Sequence, residues 1–420
     1  MDKLVIQGGP RLRGSVAVAG SKNACLPVMA AAILADGPTT LHDVPHLEDI
    51  RALSDLLEEL GLAISRDAGT LTLEVCDSEP CHARYDLVRK MRASICVLGP
   101  LLARRRRARV SMPGGCAIGP RPIDLHLRGL EAMGATIELD GGDIVATADR
   151  LHGAEIFLGG PFGSTVLGTA NVMMAATLAE GRTVIEAAAC EPEVADLARC
   201  LNAMGARIQG AGTPRVTVEG VEGLHGCEHT VIPDRIEAGT FMCAAAITNG
   251  QVRIERVRLD HMVAVIDRLR AVGVIVEPAD GGAEVSSARR LTAVDATTQP
   301  YPGFPTDLQA QLMALLCLAD GNSVITEKIY PDRFLHVAEL ARMGARIRKE
   351  GPTAIVTGAK RLVGAPVMAS DLRASAALIL GGLAAQGQTV VNRIYHLDRG
   401  YERIEDKLLA LGAEIERVSD

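Results

Sequence analysis

The clearest shortage in this sequence is of aromatic residues. The 420 residues include no Trp, five Phe and five Tyr. The hydrophobic cores must therefore be built from aliphatic side chains, and stacking of nucleic-acid bases on aromatic platforms is not expected. The net charge of −7 also argues against a surface that binds nucleic acid, although a local group of arginines can still bind a small anion.

Several signature motifs are missing as well. The ten cysteines include no C-x-x-C pair and the histidines no H-E-x-x-H spacing, so we expect reduced thiols, no disulfide framework and no metal site. No apolar run reaches the roughly 18 residues of a membrane span, and the first residues lack the pattern of a secretory signal. Neither G-x-x-x-x-G-K-[ST] nor G-x-G-x-x-G occurs, which removes the common nucleotide-binding folds.

What the sequence has instead is a repeat of about seventy residues. A short phrase centred on glycine recurs six times, at 60–64, 133–137, 204–208, 272–276, 343–347 and 411–415. Each copy follows a run with helical spacing of apolar residues and precedes two β-prone segments joined by a turn. Each copy therefore predicts an amphipathic helix, a left-handed glycine stop and a β-hairpin.

A second phrase fills the other half of each repeat. It is an Ala-rich segment, apolar nearly all round, followed by a turn and a strand, and it occurs at 23–44, 93–112, 171–188, 239–257, 308–329 and 374–394. A helix with that pattern is buried on most sides. The copy at 93–112 replaces its glycine turn with Arg104–Arg107, for which we expect a solvated face.

The two phrases together predict six βαβαββ units. They could form one closed ring or two lobes of three units, and the length of the chain favours two lobes. We expect the first lobe to span 21–232, with a cysteine loop at 112–122, and the second to combine 1–20 with 233–420. The first strand, at 4–8, is then expected to pair with the C-terminal half.

Polar residues stand at the starts of several buried helices. Helix N-termini favour anions, and parallel helices would bring these starts to one face of each lobe. The candidates to line an anion-binding cleft are Lys22, Arg92, Arg121, Arg235, Arg333, Arg373 and Arg399.

The segment SMPGGCAIGPRPID, residues 111–124, places Cys116 between two turns and close to Arg121. Nearby cations lower the pKa of a thiol, and the glycines of this loop suit closure over a ligand. The residues alone leave two alternatives open at each of two positions. Cys116 can be a reactive or an inert surface thiol, and Asp307 in FPTDLQAQ can be a functional carboxylate, a helix cap or both.

Long motifs across the whole chain closely resemble the enolpyruvyltransferases that act on UDP-N-acetylglucosamine. These motifs are SKNACLP, YDLVRKMRASI, PGGCAIGPRPIDLH, PDRIEAGTF, FPTDLQAQ, DRFLHVAELARMGA, SDLRAS and YHLDRGYERIEDKL. The resemblance implies an α/β fold of EPSP synthase type, a two-lobed inside-out barrel of six βαβαββ units with three in each lobe. The EPSP synthases share this architecture but lack the cysteine loop.

The resemblance also implies a reaction. The enolpyruvyl group of phosphoenolpyruvate would move to the 3′-hydroxyl of UDP-N-acetylglucosamine through a tetrahedral intermediate, and phosphate would leave. This would be the first committed step of peptidoglycan synthesis, in the cytoplasm. The two small molecules would be the partners, with no cofactor, metal, nucleic acid or membrane insertion, and the oligomeric state stays open.

Residue roles follow from the matched motifs. Cys116 would protonate the methylene carbon of phosphoenolpyruvate, and Asp307 would take the hydroxyl proton of the acceptor. The residues implied at phosphoenolpyruvate are Lys22, Asn23, Arg121 and Arg399, and the catalytic set is Cys116, Asp307, Lys22 and Arg399. The residues implied at the nucleotide sugar are Arg92, Arg121, Pro122, Ile123, Asp124, Leu125, Thr165, Val166 and Ile329. Arg333, Asp371 and Arg373 complete the substrate-binding set.

Three departures from the family pattern fall on the nucleotide side. Residues 165–169 read TVLGT in place of Ser-Val-Gly-Ala-Thr, Gly163 replaces a lysine, and Cys190 replaces an arginine. The motifs therefore support phosphoenolpyruvate as donor more strongly than they support the acceptor. The alternatives are transfer to another uridine nucleotide and a non-catalytic paralogue that binds a nucleotide sugar.

Overall fold

The computed structural model describes residues 2–113, 123–287 and 290–419. The α-helices are α1 (Lys22–Ala31), α2 (Glu48–Glu59), α3 (Tyr85–Val88), α4 (Leu98–Arg105), α5 (Asp124–Ala132), α6 (Val166–Ala176), α7 (Pro192–Ala203), α8 (Arg235–Ile247), α9 (Val263–Val272), α10 (Gln309–Leu316), α11 (His336–Arg342), α12 (Leu372–Ala384) and α13 (Ile404–Ala410). Short 3-10 helices are Ala32–Leu34, Arg92–Val97, Leu259–His261, Thr306–Leu308 and Ile394–His396.

The strands follow the same order along the chain. They are β1 (Lys3–Gln7), β2 (Arg13–Ala17), β3 (Ala35–Asp36), β4 (Thr39–His42), β5 (Leu62–Asp67), β6 (Thr70–Val75), β7 (His82–Ala83), β8 (Arg107–Ser111), β9 (Thr136–Asp140), β10 (Asp143–Thr147), β11 (Glu155–Phe157), β12 (Gly159–Gly160), β13 (Gly163–Ser164), β14 (Arg182–Glu186), β15 (Arg207–Gln209), β16 (Arg215–Glu219), β17 (Leu224–His225), β18 (Glu228–Thr230), β19 (Gln251–Glu255), β20 (Ile275–Ala279), β21 (Gly282–Ser286), β22 (Ala296–Thr297), β23 (Asn322–Thr326), β24 (Arg346–Glu350), β25 (Thr353–Thr357), β26 (Pro366–Met368), β27 (Gln388–Asn392) and β28 (Glu414–Val418).

The sheets repeat one arrangement six times. The described residues form four-stranded sheets with the orders β18-β4-β6-β5, β7-β8-β10-β9, β11-β14-β16-β15, β2-β19-β21-β20, β22-β23-β25-β24 and β26-β27-β1-β28. In each sheet the first pair is parallel and the other two pairs are antiparallel. The predicted sixfold repeat is confirmed by this regularity.

The helices fall into the two predicted classes. The inner helices α1, α6, α8, α10 and α12 are buried along nearly their whole length, because their Ala-rich sequences are apolar on every face. The outer helices, such as α2 and α9, bury only every third or fourth residue. The inner helices therefore form the centre of each core, and the sheets and outer helices surround them.

A left-handed glycine ends each outer helix. Gly61, Gly134, Gly205, Gly273, Gly344 and Gly412 have φ between +87° and +106°. A residue with a side chain would be strained at these angles, which explains why glycine recurs at this point of every repeat. The predicted helix stops are thus confirmed.

The arginine tract Arg104–Arg107 differs in part from the expected solvated face. Arg106 takes the left-handed conformation (φ +61°) at the end of α4, where other repeats have a glycine turn. Arg105 is partly buried and donates hydrogen bonds to the carbonyls of Asp77 and Pro80. The prediction was therefore wrong for Arg105, which joins two segments of backbone.

The chain divides into two compact units, each with its own hydrophobic core. The central unit consists of the described residues from Gly20 to Ile232, and the terminal unit consists of those up to Ala19 and from Pro233 onward. Strand β1 pairs with β27 and β28, which confirms that the first strand joins the C-terminal half. Among the described residues, no helix has both the length and the apolar character to cross a membrane.

Candidate active site

In the terminal unit, one carboxylate is held by two arginines. Asp307 lies in the 3-10 helix that leads into α10. Its Oδ1 atom accepts a hydrogen bond from Nη1 of Arg333 at 2.8 Å, and its Oδ2 atom accepts one from Nη2 of Arg373 at 2.9 Å. The two arginine side chains are only 8% and 3% exposed. The structure thus brings together three residues that the sequence predicted separately.

The arginines decide the ionisation state of Asp307. Burial alone would raise the pKa of the Asp307 carboxyl, but the positive charges of Arg373 and Arg333 outweigh burial and hold this pKa well below its usual value. The carboxylate is therefore ionised at neutral pH. A bound anion that took over hydrogen bonds from the arginines would raise the pKa and make Asp307 a better proton acceptor.

Arg373 has donors in reserve. Its Nε and Nη1 atoms are buried and make no hydrogen bond to any described residue, and its guanidinium lies 5.5 Å from the centre of the Tyr401 ring. An unmade hydrogen bond of a buried polar group costs on the order of 1–3 kcal/mol. These donors therefore suit the oxygens of an anionic ligand such as a carboxylate or phosphate.

Asp371 fixes the start of α12 and, with it, the backbone of Arg373. Its Oδ1 atom accepts hydrogen bonds from the backbone nitrogens of Arg373 at 2.9 Å and Ala374 at 3.1 Å. These are the contacts of a helix N-cap. The negative charge of Asp371 also lies close enough to Arg333 to favour its charged form.

Two histidines near this cluster are held neutral. Burial lowers the pKa of His336 to about 4, although the charge of Asp371 opposes this shift. Burial also lowers the pKa of His396, and the charge of the half-buried Arg399 adds to the effect. At neutral pH the positive charge of this region is therefore carried by arginines, including the predicted Arg399.

A buried glutamate that the sequence analysis did not single out organises the next turn. Glu327 follows β23 and is fully buried. Its carboxylate accepts hydrogen bonds from Oγ1 of Thr298 (2.7 Å) and Oγ1 of Thr306 (2.9 Å). It also accepts them from the backbone nitrogens of Ile329 (2.8 Å) and Tyr330 (3.0 Å). The turn that carries the predicted residue Ile329 is therefore anchored to one carboxylate.

The same glutamate is linked to the arginine cluster through a hydroxyl. The hydroxyl of Thr306 donates a hydrogen bond to Glu327, and its Oγ1 atom accepts a hydrogen bond from Nη1 of Arg333 at 2.9 Å. Arg333 also binds Asp307 through that nitrogen. The hydrogen bonds thus run without a break from Glu327 to Asp307. The only sequence signal for this series of hydrogen bonds was the position of Glu327 directly after a strand.

In the central unit, Lys22 forms a buried ion pair. It is the first residue of α1, and its Nζ atom lies 2.9 Å from Oδ2 of Asp49 in the first turn of α2. The two side chains are 11% and 4% exposed. Ser21 caps α1 by accepting a hydrogen bond from the backbone of Ala24 at 3.3 Å, and the predicted residue Asn23 is half-buried beside Lys22. The pair fixes the lysine at the N-terminus of a buried helix.

An uncharged hydrogen-bond network centred on Asn171 lies near the predicted residue Arg92. Asn171, fully buried in α6, binds the backbone nitrogen of Gly99, the carbonyl of Ile95 and Nδ1 of His126, each at 2.9 Å. Burial lowers the pKa of His126 to about 3, and the charge of Arg92 adds to this effect. Nδ1 of the neutral ring therefore accepts from the Asn171 amide. This network joins α5, α6 and the helical turn that begins at Arg92.

The residues predicted at the nucleotide stand at two neighbouring helix starts. Ile123, Asp124 and Leu125 begin α5, and Thr165 and Val166 begin α6. The two helices pack together. Oγ1 of Thr165 accepts a hydrogen bond from the backbone nitrogen of Gly168 at 3.2 Å and caps α6. Asp124 is exposed, whereas Ile123 is buried.

The departures from the family pattern are accommodated locally. Gly163 has φ +101°, a left-handed conformation that disfavours a side chain, and it belongs to the hairpin β12–β13 that leads to α6. Cys190 is half-buried, and its thiol is 3.6 Å from the carbonyl of Ala188. Burial raises the pKa of Cys190, so this thiol is protonated and uncharged at the position where the resemblance implies an arginine.

Three predicted residues, Cys116, Arg121 and Pro122, lie outside the described residues. Arg235, a candidate for the anion site, lies 5.7 Å from the centre of the Tyr301 ring. Among the described residues, no group of three His, Cys, Asp or Glu side chains is arranged to hold a metal ion. The terminal unit therefore offers buried arginines and an ionised carboxylate, which suit an anionic ligand and a proton transfer. The central unit, taken by itself, offers a buried lysine at a helix start.

The sequence comparisons agree across the whole chain. The profile of the family described as EPSP synthase (3-phosphoshikimate 1-carboxyvinyltransferase) matches residues 6–408. The chain is 56% identical to a protein of Nitratidesulfovibrio vulgaris named UDP-N-acetylglucosamine 1-carboxyvinyltransferase, over 100% of both chains. It is 53% identical to the protein of that name from Methylacidiphilum infernorum, over 100% of this chain and 99% of the relative.

Solved structures show the same likeness. The enolpyruvyl transferase NikO from Streptomyces tendae superposes with a TM-score of 0.90 at 26% identity, over 100% of this chain and 99% of that one. EPSP synthase from Acinetobacter baumannii superposes with a TM-score of 0.77 at 20% identity, over 100% of both chains. The second likeness concerns the fold alone.

Proposed function

Because this chain belongs to the EPSP synthase family of carboxyvinyltransferases, we propose that it transfers the enolpyruvyl group of phosphoenolpyruvate to UDP-N-acetylglucosamine. The 3′-hydroxyl of the sugar is the acceptor and phosphate is released, which is the first committed step of peptidoglycan synthesis. The observation that carries this proposal is the identity of more than half of all residues to relatives named for this activity, over their full length.

The charges of the site support phosphoenolpyruvate as the donor. This substrate carries a carboxylate and a phosphate on three carbons, so several cations must be fixed around it. Lys22, Arg121 and Arg399 bind these groups, with Asn23 beside them. The unused donors of Arg373 offer further hydrogen bonds to anionic oxygens.

The proton inventory of the addition step assigns two residues. Asp307 accepts the proton of the 3′-hydroxyl while the sugar oxygen bonds to C2 of phosphoenolpyruvate, and Cys116 delivers a proton to C3. The product of this step is a tetrahedral intermediate. Loss of a proton from C3 and of phosphate from C2 then restores the enol ether.

The nucleotide sugar is bound mainly by the helix starts of the central unit. We assign this role to Arg92, Arg121 to Leu125, Thr165, Val166 and Ile329, with Arg333 and Asp371 in support. Because both substrates are intracellular metabolites, we place the reaction in the cytoplasm.

Phosphate release from phosphoenolpyruvate tests the proposal. The purified chain should release phosphate with UDP-N-acetylglucosamine, and at least tenfold more slowly with UDP-glucose or UDP-glucuronic acid. A preference for another uridine nucleotide would favour the alternative acceptor, to which Gly163 and Cys190 point. Release with none of them, together with tight nucleotide-sugar binding, would favour the non-catalytic paralogue and contradict the proposal.

A further inference from the structure

Two pairs of side chains face each other in the central unit, among residues that the proposed reaction does not use. Asp196 and Cys200 are four residues apart on α7 and therefore share one face of the helix. Cys227 and His229 lie two residues apart at the start of β18, so their side chains share one face of this strand, which faces α7. The Sγ atoms of Cys200 and Cys227 are 3.8 Å apart, and Nε2 of His229 lies 3.1 Å from Oδ1 of Asp196.

The two thiols differ in their access to solvent. Cys200 is fully buried in the core of the central unit. Cys227 is half-buried, and its carbonyl accepts a hydrogen bond from the backbone of Thr40 at 2.8 Å, which holds it against the sheet. A small molecule can therefore reach Cys227 from solvent, whereas Cys200 is shielded from solvent.

Their proton affinities are also set apart. The hydrogen-bonding contact with Cys200 is the main cause that lowers the pKa of Cys227 to about 7; burial opposes it, and the imidazoles of His229 and His225 add to it. The same contact, together with burial, raises the pKa of Cys200. The lowered pKa of Cys227 favours its thiolate, which is the nucleophilic form, while Cys200 holds its proton.

We propose that Cys200 and Cys227 form a peroxide-reactive dithiol that closes to an intramolecular disulfide. For the bond to form, the Sγ–Sγ distance of 3.8 Å must shorten to about 2.0 Å. The four side chains are not arranged to hold a metal ion, since no such group occurs among the described residues. The proposal does not depend on the enolpyruvyl transfer.

The chemistry balances with a hydroperoxide as oxidant. The Cys227 thiolate attacks the peroxide, the O–O bond breaks, and Cys227 becomes a sulfenic acid. The leaving hydroxide or alkoxide takes up the proton that the Cys227 thiol released to solvent when it ionised, and departs as water or an alcohol. Cys200 then attacks the Cys227 sulfur, the S–O bond breaks, and the proton of Cys200 leaves with hydroxide as water. Two thiols lose two electrons in total, and the peroxide is reduced by two.

Peptide mapping of the full-length chain tests the proposal. The reduced protein is treated with hydrogen peroxide at pH 7, free thiols are blocked, and the digest is analysed by mass spectrometry. We expect one linked peptide pair that joins Cys200 to Cys227 and disappears on treatment with dithiothreitol. Cys227 should be oxidised about tenfold faster than the exposed Cys76, because the contact with Cys200 and the nearby imidazoles stabilise the Cys227 thiolate.

Two variants separate the roles of the thiols. Cys200→Ser should leave a sulfenic acid on Cys227 that dimedone traps, and Cys227→Ser should leave Cys200 reduced. Cys243 and Cys317 serve as internal controls, because both are buried and their pKa values are raised to about 12. The proposal is overturned if the wild-type chain gives no Cys200–Cys227 peptide while Cys76 is oxidised, a result that does not require any variant to fold.

Discussion

The central and terminal units share one scaffold and differ in the chemistry placed on it. Each has three sheets of the same strand order among its described residues, packed around buried helices. In the terminal unit the helix starts carry a carboxylate clamped by two buried arginines. In the central unit the helix starts carry one lysine–aspartate ion pair and an uncharged hydrogen-bond network between a histidine and an asparagine.

This contrast shows that the repeat determines where polar groups stand but not what they do. The N-terminus of a buried helix is a favourable place for an anion in either unit. The terminal unit adds cations that keep a carboxylate ionised, which is what a proton acceptor requires. The central unit uses neutral groups to join helix starts, which suits the positioning of a large polar ligand.

The largest expected effect comes from removing the clamped carboxylate. Asp307→Asn should lower the rate of phosphate release about 10²–10⁴-fold, because the amide cannot accept the hydroxyl proton. Steady-state kinetics would measure the loss, and nucleotide-sugar binding should remain measurable by calorimetry. Asp260→Asn is a matched control, since Asp260 forms an exposed pair with Arg258 in the same unit. Equal activity of the two variants would remove Asp307 from the mechanism.

The next effect concerns the proposed proton donor, Cys116. Cys116→Ser should lose most turnover at neutral pH, whereas Cys116→Asp should retain activity that shifts toward acid pH, because a carboxyl can also donate a proton. Fosfomycin should alkylate Cys116, and faster when the nucleotide sugar is present. Mass spectrometry that located the adduct on another residue would contradict the assignment, and so would unchanged turnover of the serine variant.

A smaller effect is expected from the hydrogen-bond chain behind the arginines. Thr306→Val removes the hydroxyl that links Glu327 to Arg333 and should lower kcat/KM about 10- to 100-fold, while Thr306→Ser should restore most of it. The comparison of kcat with KM for each substrate locates the loss. If the valine and serine variants have the same kcat/KM, the hydrogen bonds from Glu327 to Arg333 have only a structural role.

The smallest effect is on stability in acid. The pKa of His336 is lowered to about 4 in the folded state, so the unfolded chain binds more protons between pH 6.5 and pH 4. The stability from this neutral histidine is fully present above pH 6.5 and is lost as pH falls through the folded pKa, by up to roughly 3 kcal/mol. His336→Phe should flatten that slope in urea unfolding across this range. An unchanged slope would show that His336 does not titrate as described.

Much of the fold was predictable because it depends on local rules repeated six times. The left-handed glycines after the outer helices and the all-round apolar character of the inner helices are both readable from single segments. The family resemblance, and with it the EPSP synthase-like fold, is confirmed by the full-length relatives. Arg105 was misjudged because its partners, two backbone carbonyls, have no signature in sequence.

The contacts among the predicted site residues could not be read from the sequence. The sequence named Asp307, Arg333 and Arg373, yet their mutual hydrogen bonds join positions up to 66 residues apart. Glu327 was missed because a buried carboxylate that binds hydroxyls and backbone nitrogens belongs to no motif. Asn171 was missed for the same reason, since its partners lie 45 to 76 residues away.

The ionisation of Asp307 offers the most direct test of this contrast between the units. The carboxyl carbon can be followed by NMR in protein labelled at aspartate, with Asp307→Asn used to assign the signal. We predict that the free protein shows a midpoint well below 3.8, the ordinary value for an aspartate, because Arg333 and Arg373 stabilise the charged form. A midpoint at or above that value would contradict the account.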